Sequence, residues 1–557
     1  MLSLLLALSL HTPTDPACPS PSTQRVPLSG PAAVLGTAPD ENPPMRPDDL
    51  RTEAERSDFQ ATARHAQVVA LLDRLAEASP LVRRGSLGET SEGREIPWIT
   101  LADPPVADAA AARASGKLVV FVFANIHAGE VCGKEALPML AREILQEPDA
   151  PWARALLDEL VLVFAPIYNG DGNERFSTGS RPNQDGPAHG QGQRPNAQGL
   201  DLNRDSMKLE SPESRAMASF LTAWDPHLVM DLHTTNGSFH RYQLTYAPPL
   251  NPSGHAGPID FVRDTLLPTV SKRLLQRTGR DTFLYGNFTE VDGDPKGAWA
   301  TYSSQPRFGA QYHGLRGHMS ILSEAYSHAS YETRVLATLE FVRECLLFAA
   351  QNADAMRALV ERGRAETIAA GEGDVPSMAS VGIRHELASA SEPAVIRGWV
   401  ETLDDEGRSV PTDEPQDYVV RHDDHFRPTL SVTRPRGYLI PPGHDEVVDV
   451  LRAHGIELAP APVGEQDVEV YSLTAVERAE QAFQGHHIVT ADAQARADRR
   501  AIDDGWTFVP TGQALGTLAV YLLEPAADDG LVAWGFFDGQ PGEGLETGAE
   551  FPVLRVP

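Results

Sequence analysis

The sequence predicts an α/β fold built on a mainly parallel, mixed sheet flanked by helices, followed by a smaller β-rich α+β domain. Between residues 118 and 322, apolar runs of strand length alternate with stretches of helical periodicity. Such alternation is typical of parallel strands joined by crossover helices. After residue 378 this pattern gives way to short β-prone segments separated by Pro, Gly and Asp turns.

The amino-acid composition is that of a soluble globular protein, and its net charge limits the classes of partner that it can bind. The chain has 557 residues, 41% hydrophobic and 22% charged, which predicts two domains and a terminal segment. No stretch approaches the roughly 18 apolar residues of a membrane-spanning helix. A net charge of −30 argues against nucleic acid and anionic membrane surfaces as partners. The spacing of Cys18, Cys132 and Cys345 indicates neither a zinc knuckle nor a disulfide framework.

Residues 1–50 are expected to form a signal-like segment and a disordered lead-in. The apolar run at residues 2–10 resembles the h-region of a secretion signal, although no basic residue precedes it. Residues 11–50 are rich in Pro, Ser, Thr and Ala. We therefore predict export to the periplasm or the medium. The alternative is that the start codon is misassigned and the protein is cytoplasmic.

The first domain is expected to span residues 51–370. It begins with a helical pattern in residues 51–79 and a hairpin in residues 82–101. Four apolar runs predict buried strands: 118–124, 160–166, 228–232 and 319–322. Four stretches predict helices: 134–145, 212–223, 259–277 and 332–367.

The accessory domain is expected to span residues 378–557. Its predicted strands are 395–400, 417–420, 467–471, 518–523 and 532–537, and its clearest helix is 444–454. The histidine-bearing stretches 422–425 and 485–487 are interpreted as solvated turns.

Polar side chains follow each of the four buried strands of the first domain. In strand order they are His127 with Glu130, Asn169 with Asp171, His233, and Glu324. Because ligands of such sheets bind outside the carboxyl ends of the strands, we expect a site at this edge.

This set contains the parts of a zinc hydrolase. Such a site needs three protein ligands and an open position for water, and His127, Glu130 and His233 supply the ligands for one Zn²⁺ per chain. The water also needs a base. Glu324 is the best candidate, since partial burial after the apolar residues 319–322 would raise its pKa.

The stretch GLDLNRD at residues 199–205 adds groups suited to a carboxylate. Arg204 offers a fork of donors and Asn203 a further one. Asp201 can accept the free ring N–H of a zinc-bound histidine.

Five short pieces, in order, resemble the zinc carboxypeptidase family (peptidase family M14, carboxypeptidase A-like). They are HAGE at 127–130, NGDG at 169–172, DLNR at 201–204, DLH at 231–233, and Glu324. The resemblance covers roughly residues 50–350 and implies a zinc-dependent hydrolase that removes C-terminal residues from peptides. It implies that Glu324 is the general base and that Asp201 supports His127.

The resemblance also implies how the substrate is held. Asn203 and Arg204 would bind its terminal carboxylate. An upstream arginine would stabilise the oxyanion; Arg175, Arg181 and Arg194 are candidates, and we favour Arg194. A tyrosine about twenty residues before the base would cap the substrate, and Tyr302 and Tyr312 compete for that role.

Two alternatives keep the scaffold and change the function. Zinc-dependent N-acyl amino acid deacylases, of the succinylglutamate desuccinylase or aspartoacylase type, share several of these pieces. A non-catalytic binding protein is the second alternative. For a carboxypeptidase or a deacylase, the expected partner is a peptide or a small acylated amino acid with a free carboxylate.

Overall fold

The computed structural model describes residues 47–235, 237–538 and 544–557. The signal-like segment, Cys18 and nearly all of the predicted lead-in lie outside these ranges. Within them, no helix has the length and apolar character needed to cross a membrane.

The described residues between 82 and 325 contain ten strands. They are β1 (Val82–Glu89), β2 (Glu95–Leu101), β3 (Leu118–Ala124), β4 (Leu160–Ala165), β5 (Leu228–Thr234), β6 (Leu244–Ala247), β7 (Thr282–Leu284), β8 (Asn287–Val291), β9 (Asp294–Ala300) and β10 (Met319–Ala325). Eight of them form one sheet in the order β1-β2-β4-β3-β5-β10-β6-β7. The inner strands β4, β3, β5 and β10 are parallel, whereas β1–β2, β2–β4 and β10–β6 pair antiparallel. The predicted mainly parallel, mixed sheet is confirmed.

Helices cover this sheet. They are α1 (Glu53–Arg56), α2 (His65–Ala78), α3 (Ala109–Ser115), α4 (Cys132–Gln146), α5 (Pro151–Glu159), α6 (Gly170–Glu174), α7 (Pro212–Trp224), α8 (Ala256–Phe261), α9 (Leu267–Thr278), α10 (Gly309–Leu315), α11 (Tyr331–Gln351) and α12 (Ala353–Gly371). Every residue of β3 and β5 is buried, as expected of strands covered on both faces.

The start of α4 packs unusually close to the sheet. A Cβ on Gly133 would lie 2.7 Å from Ala124 Cβ and 2.8 Å from Leu232 Cβ. Glycine therefore lets α4 approach β3 and β5 directly after the loop that carries Glu130. This approach holds that loop at the carboxyl edge of the sheet.

Two predicted helices differ from the structure. The helix predicted over 332–367 is two helices, because Asn352 leaves helical geometry and its side-chain Nδ2 donates to Phe348 O at 2.8 Å. The helix predicted over 259–277 contains a π-helical turn at Val262–Leu266, just before Pro268. Proline lacks an N–H and crowds the preceding turn, so the wider turn accommodates it.

The region after residue 378 is β-rich, as predicted. Its elements are β11 (Ser380–Ser389), β12 (Ala394–Leu403), β13 (Ser409–Thr433), β14 (Gly437–Ile440), α13 (Asp445–Ala453), β15 (Ala459–Pro460), β16 (Gly464–Arg478), β17 (Val489–Ile502), β18 (Thr507–Pro510), α14 (Gly516–Leu523) and β19 (Leu554–Val556). The strand predicted over 518–523 is wrong, because this run is the fully buried helix α14. The strand predicted over 532–537 is also wrong, since these residues form turns. A continuous apolar run does not distinguish a buried strand from a buried helix.

The C-terminal strands are joined to the earlier part of the chain. Strand β13 pairs with β9, with Arg421 opposite Ala298, and so extends a sheet that also contains β8 and β11. One buried cluster includes Phe121 from the central sheet and Trp534 from the C-terminal region. Arg46–Pro557 form one compact unit. The domain boundary near residues 370–378 stays a prediction.

Candidate metal centre and catalytic site

The three predicted metal ligands come together at the carboxyl edge of the sheet. His127, Glu130 and His233 are buried, and one ligand atom of each lies within 4.8 Å of the others. His127 Nδ1 is 3.0 Å from Glu130 Oε1, and His233 Nδ1 is 2.9 Å from Glu130 Oε2. Two imidazole nitrogens and one carboxylate form a donor set that fits a catalytic zinc ion.

The outer nitrogen of each imidazole faces a second carboxylate. His127 Nε2 is 3.0 Å from Asp201 Oδ1. His233 Nε2 is 2.8 Å from Asp231 Oδ2. Carboxylates at these distances would hold each ring with its Nδ1 toward Glu130, the arrangement that a metal ion bound by the three residues needs. The role of Asp231 was not predicted, although Asp231 and His233 are two residues apart and therefore share one face of β5.

Charge neighbours keep the cluster's carboxylates ionised. Burial alone would raise the pKa of Asp201, but the His127 imidazole, followed by Arg194 and Arg204, holds that pKa well below its usual range. Burial likewise opposes ionisation of Glu130, whereas His127 and Arg181 lower the pKa of that carboxyl well below its ordinary value. An anionic Glu130 is the form that binds a cation.

Glu324 behaves differently from these acids. It stands opposite His233 in the parallel register of β10 and β5. Its Oε2 atom is buried and has no hydrogen-bond partner in the described ranges. Burial raises the pKa of Glu324 to about 8; nearby His233 opposes this rise and Glu130 adds to it. The site therefore contains a carboxyl group that can both take up and release a proton near neutral pH.

The three candidate arginines do not share one location. Arg175 bonds Glu92 and two backbone oxygens outside the cluster. Arg181 Nη1 donates to Glu130 Oε1 at 2.8 Å, and its side chain is 12% exposed. Arg194 Nε donates to Asp201 Oδ2 at 2.9 Å, and its side chain is 42% exposed. Arg194 is thus the more accessible of the two arginines beside the cluster.

The predicted carboxylate anchor follows Asp201 directly. The Asp201 side chain accepts a hydrogen bond from Asn203 N at 3.0 Å and so caps the short turn Leu202–Arg204. The Arg204 guanidinium stacks 3.9 Å from the Phe308 ring centroid, and its Nη1 donates to Asn203 O at 2.7 Å. Its Nη2 makes no hydrogen bond within the part of the chain that the structure describes. That nitrogen can donate to a ligand.

The surroundings of Arg204 favour an anion. Burial lowers the pKa of Arg204; Asp201 opposes this, and the like charges of Arg194 and Arg307 add to it. A bound carboxylate would relieve the repulsion among these three cations.

The structure brings one of the two candidate tyrosines to this region. Tyr302 packs against Phe308 at 5.4 Å and against Tyr285 at 5.6 Å between ring centroids. Its buried hydroxyl has no hydrogen-bond partner among the described residues. Burial and then the Glu324 charge raise the pKa of Tyr302 well above its usual value. Tyr285, directly after β7, is a neighbour of Tyr302 that no sequence pattern indicated.

Tyr312 does not reach the cluster. It lies in α10, is buried, and its hydroxyl is 2.7 Å from His454 Nδ1 and accepts from Arg316 Nη1 at 3.0 Å. Its polar group is thus satisfied inside the core, which corrects its nomination as a substrate-capping residue.

Comparisons with known proteins agree with the motifs. Residues 68–256 match the family model of zinc carboxypeptidases, Peptidase_M14. Carboxypeptidase 2 of Trichophyton rubrum is 23% identical over 488 residues, which covers 84% of this chain and 81% of that protein. Carboxypeptidase 2 of Trichophyton tonsurans is 24% identical over 490 residues, with the same coverage. These shares are larger than residues 51–370 can account for, so the similarity includes the C-terminal region.

Among solved structures, a metallo-carboxypeptidase from Pseudomonas aeruginosa in complex with (2-guanidinoethylmercapto)succinic acid is similar to this chain. It is 20% identical, with a TM-score of 0.38, and the match covers 53% of this chain and 69% of that one.

The carboxylate behind His233 yields a prediction. Asp231→Asn removes the charge that orients the imidazole, so zinc affinity should fall by about 10- to 100-fold. Competition against a zinc-chelating dye measures this. The control is Asp171→Asn, a buried carboxylate that bonds Thr90 and Arg94 and no cluster histidine. Equal affinity losses in both variants would contradict the role of Asp231.

Proposed function

We propose that this chain, whose residues 68–256 match the zinc carboxypeptidase family model, hydrolyses the last peptide bond of substrates with a free C-terminal carboxylate. One observation carries the proposal. The His127–Glu130–His233 donor set and the carboxyl of Glu324 lie at one sheet edge, and Asp201, which contacts His127, also lies 3.9 Å from Arg204 Nη1.

His127, Glu130 and His233 would hold one zinc ion per chain. Zinc, when bound, supplies a Lewis acid that polarises a carbonyl group and lowers the pKa of water. Asp201 and Asp231 keep both imidazoles in the orientation that presents Nδ1.

Glu324 would move the proton. Its Oε2 accepts a proton from the attacking water and then delivers it to the amine nitrogen that leaves. Burial raises the pKa of Glu324, which favours uptake of a proton from the water.

Arg194 and Tyr302 would contact the reacting end of the substrate. The accessible guanidinium of Arg194 would donate to the oxygen of the scissile carbonyl as negative charge develops there. The Tyr302 hydroxyl, which has no protein partner in the described ranges, would donate to the bound peptide.

Arg204 and Asn203 would bind the terminal carboxylate. A guanidinium can form two parallel hydrogen bonds with a carboxylate, which fixes both distance and angle. A carboxylate held there places the last peptide bond next to Glu324, so this anchor makes the cleavage exo rather than endo.

Substrate assays distinguish a carboxypeptidase from the two alternative functions. An N-acyl amino acid deacylase would prefer N-acyl amino acids over short peptides, whereas the names of the curated relatives favour peptides. A non-catalytic protein would hydrolyse neither.

We also propose that the protein is exported, and the apolar run at residues 2–10 supports this proposal.

The base yields a prediction. Glu324→Gln keeps size and hydrogen-bonding ability but removes the proton acceptor, so kcat should fall by about 100- to 10,000-fold. KM and metal content should change little, because Glu324 is not one of the three donors. A variant that keeps wild-type kcat would contradict the assignment.

The anchor yields a second prediction. Arg204→Leu should lower kcat/KM for a free-carboxylate peptide by about 100-fold, the worth of two charge-assisted hydrogen bonds. The C-terminal amide of the same peptide should be affected far less. Arg175→Leu is the matched control, since Arg175 bonds groups outside the cluster. If Arg204→Leu harmed both peptides equally, the anchoring role would be wrong.

A further inference from the structure

The hairpin that joins β16 to β17 reaches the catalytic site from the C-terminal region. We define it as residues 479–488 and call it the tip hairpin. Ala479 N donates to Ile488 O at 2.9 Å, and Phe483 and His486 exchange both backbone hydrogen bonds, at 2.7 and 3.0 Å. The two residues between them, Gln484 and Gly485, have φ values of 51° and 83°. Two positive φ values in a two-residue loop are the signature of a type I′ turn.

The side chain at the tip contacts the backbone of the metal-supporting residue. Gln484 Oε1 accepts a hydrogen bond from Asp201 N at 2.8 Å. Asp201 is the residue whose carboxylate orients His127 and caps the turn that presents Asn203 and Arg204. The position of this one backbone amide therefore bears on the turn that presents the carboxylate anchor.

The residues on either side of the two-residue turn, Phe483 and His486, also contact residues near the predicted anchor. The Phe483 ring lies 5.4 Å from the Arg307 guanidinium and 6.2 Å from the Trp534 ring. Arg307 directly precedes Phe308, on which Arg204 stacks. On the other flank, His486 Nε2 is 2.6 Å from Oε1 of Glu210. The tip hairpin thus contacts Asp201 and Glu210, which lie close to the predicted anchor in sequence, and Arg307, which is next to Phe308.

Gln484 is not the residue that the turn by itself would favour, because its positive φ is unfavourable for Gln. A positive φ is strained for most residues, and Asn is the usual first residue of a type I′ turn followed by Gly. Gln is one methylene longer, which extends its amide by about 1.5 Å. That added length is what allows the contact with Asp201. Asn would adopt this backbone conformation at a lower cost than Gln. The presence of Gln therefore indicates a functional reason for the longer side chain.

We propose that Gln484 is a positioning residue for the carboxylate anchor, and that the tip hairpin makes the C-terminal region part of the substrate site. By fixing the Asp201 amide, Gln484 sets the angle at which the Asn203–Arg204 turn meets the substrate. This inference rests on the proposed function, because it concerns the same anchor. It assigns a role to a region that lies outside the residues matched by the family model.

The decisive variant is Gln484→Asn. It preserves the amide and suits the turn at least as well, but it is too short to reach Asp201. For a peptide with a free C-terminus, KM should rise by about 3- to 10-fold, the loss expected for one hydrogen bond. The kcat value, the zinc content and the urea midpoint of unfolding should stay at or above wild-type levels. The amidated peptide should show no added loss.

The matched control is Gln481→Asn, the same chemical change at an exposed position of the same hairpin. It should leave every measured value unchanged. An unchanged KM in Gln484→Asn would overturn the inference. So would equal losses on free and amidated peptides, or a fall in stability and zinc content, since either result would assign a merely structural role. A wild-type protein that does not prefer the free peptide over its amide would instead overturn the proposed function.

Discussion

The carboxylate of Glu130 is the group on which the rest of the site depends. One oxygen faces the imidazole of His127 and the other faces the imidazole of His233, although these histidines are more than a hundred residues apart in the sequence. Burying a carboxylate is unfavourable unless charged partners surround it. The two imidazoles and Arg181 provide those partners. A divalent cation among the same donors would complete the compensation, because it is attracted by the carboxylate and bound by both rings.

The fold supplies the geometry that this cluster needs. Strands β3, β5 and β10 are parallel neighbours, so the residues at their carboxyl ends meet at one edge without any long loop. The register places Glu324 opposite His233. The close approach of α4 at Gly133 then holds the Glu130 loop against that edge. His127 and Arg181 hold the pKa of Glu130 well below its ordinary value. At Glu324 burial outweighs the opposing charges of His233 and Arg181, so the pKa values of the two acids shift in opposite directions.

The local part of this arrangement could be predicted from the sequence. Apolar strands followed by His127, His233 and Glu324 indicated both the sheet and the edge at which these residues meet. Features that depend on distant contacts could not be predicted. Gln484 meets Asp201 across 283 residues of sequence, and no pattern in the tip hairpin indicates that pairing. The buried helix α14 was predicted as a strand because its uninterrupted apolar sequence has no helical period to detect.

The measurement that tests this account most directly is the metal content of the purified full chain, with His233→Ala beside the wild type. Elemental analysis should find about one zinc per wild-type chain and almost none in the variant, because removing Nδ1 of His233 leaves only two of three donors. Circular dichroism should show that both proteins are folded. A folded wild type without zinc, or a variant that binds zinc as well as the wild type does, would contradict the central claim that Glu130 and the two histidines form a metal centre.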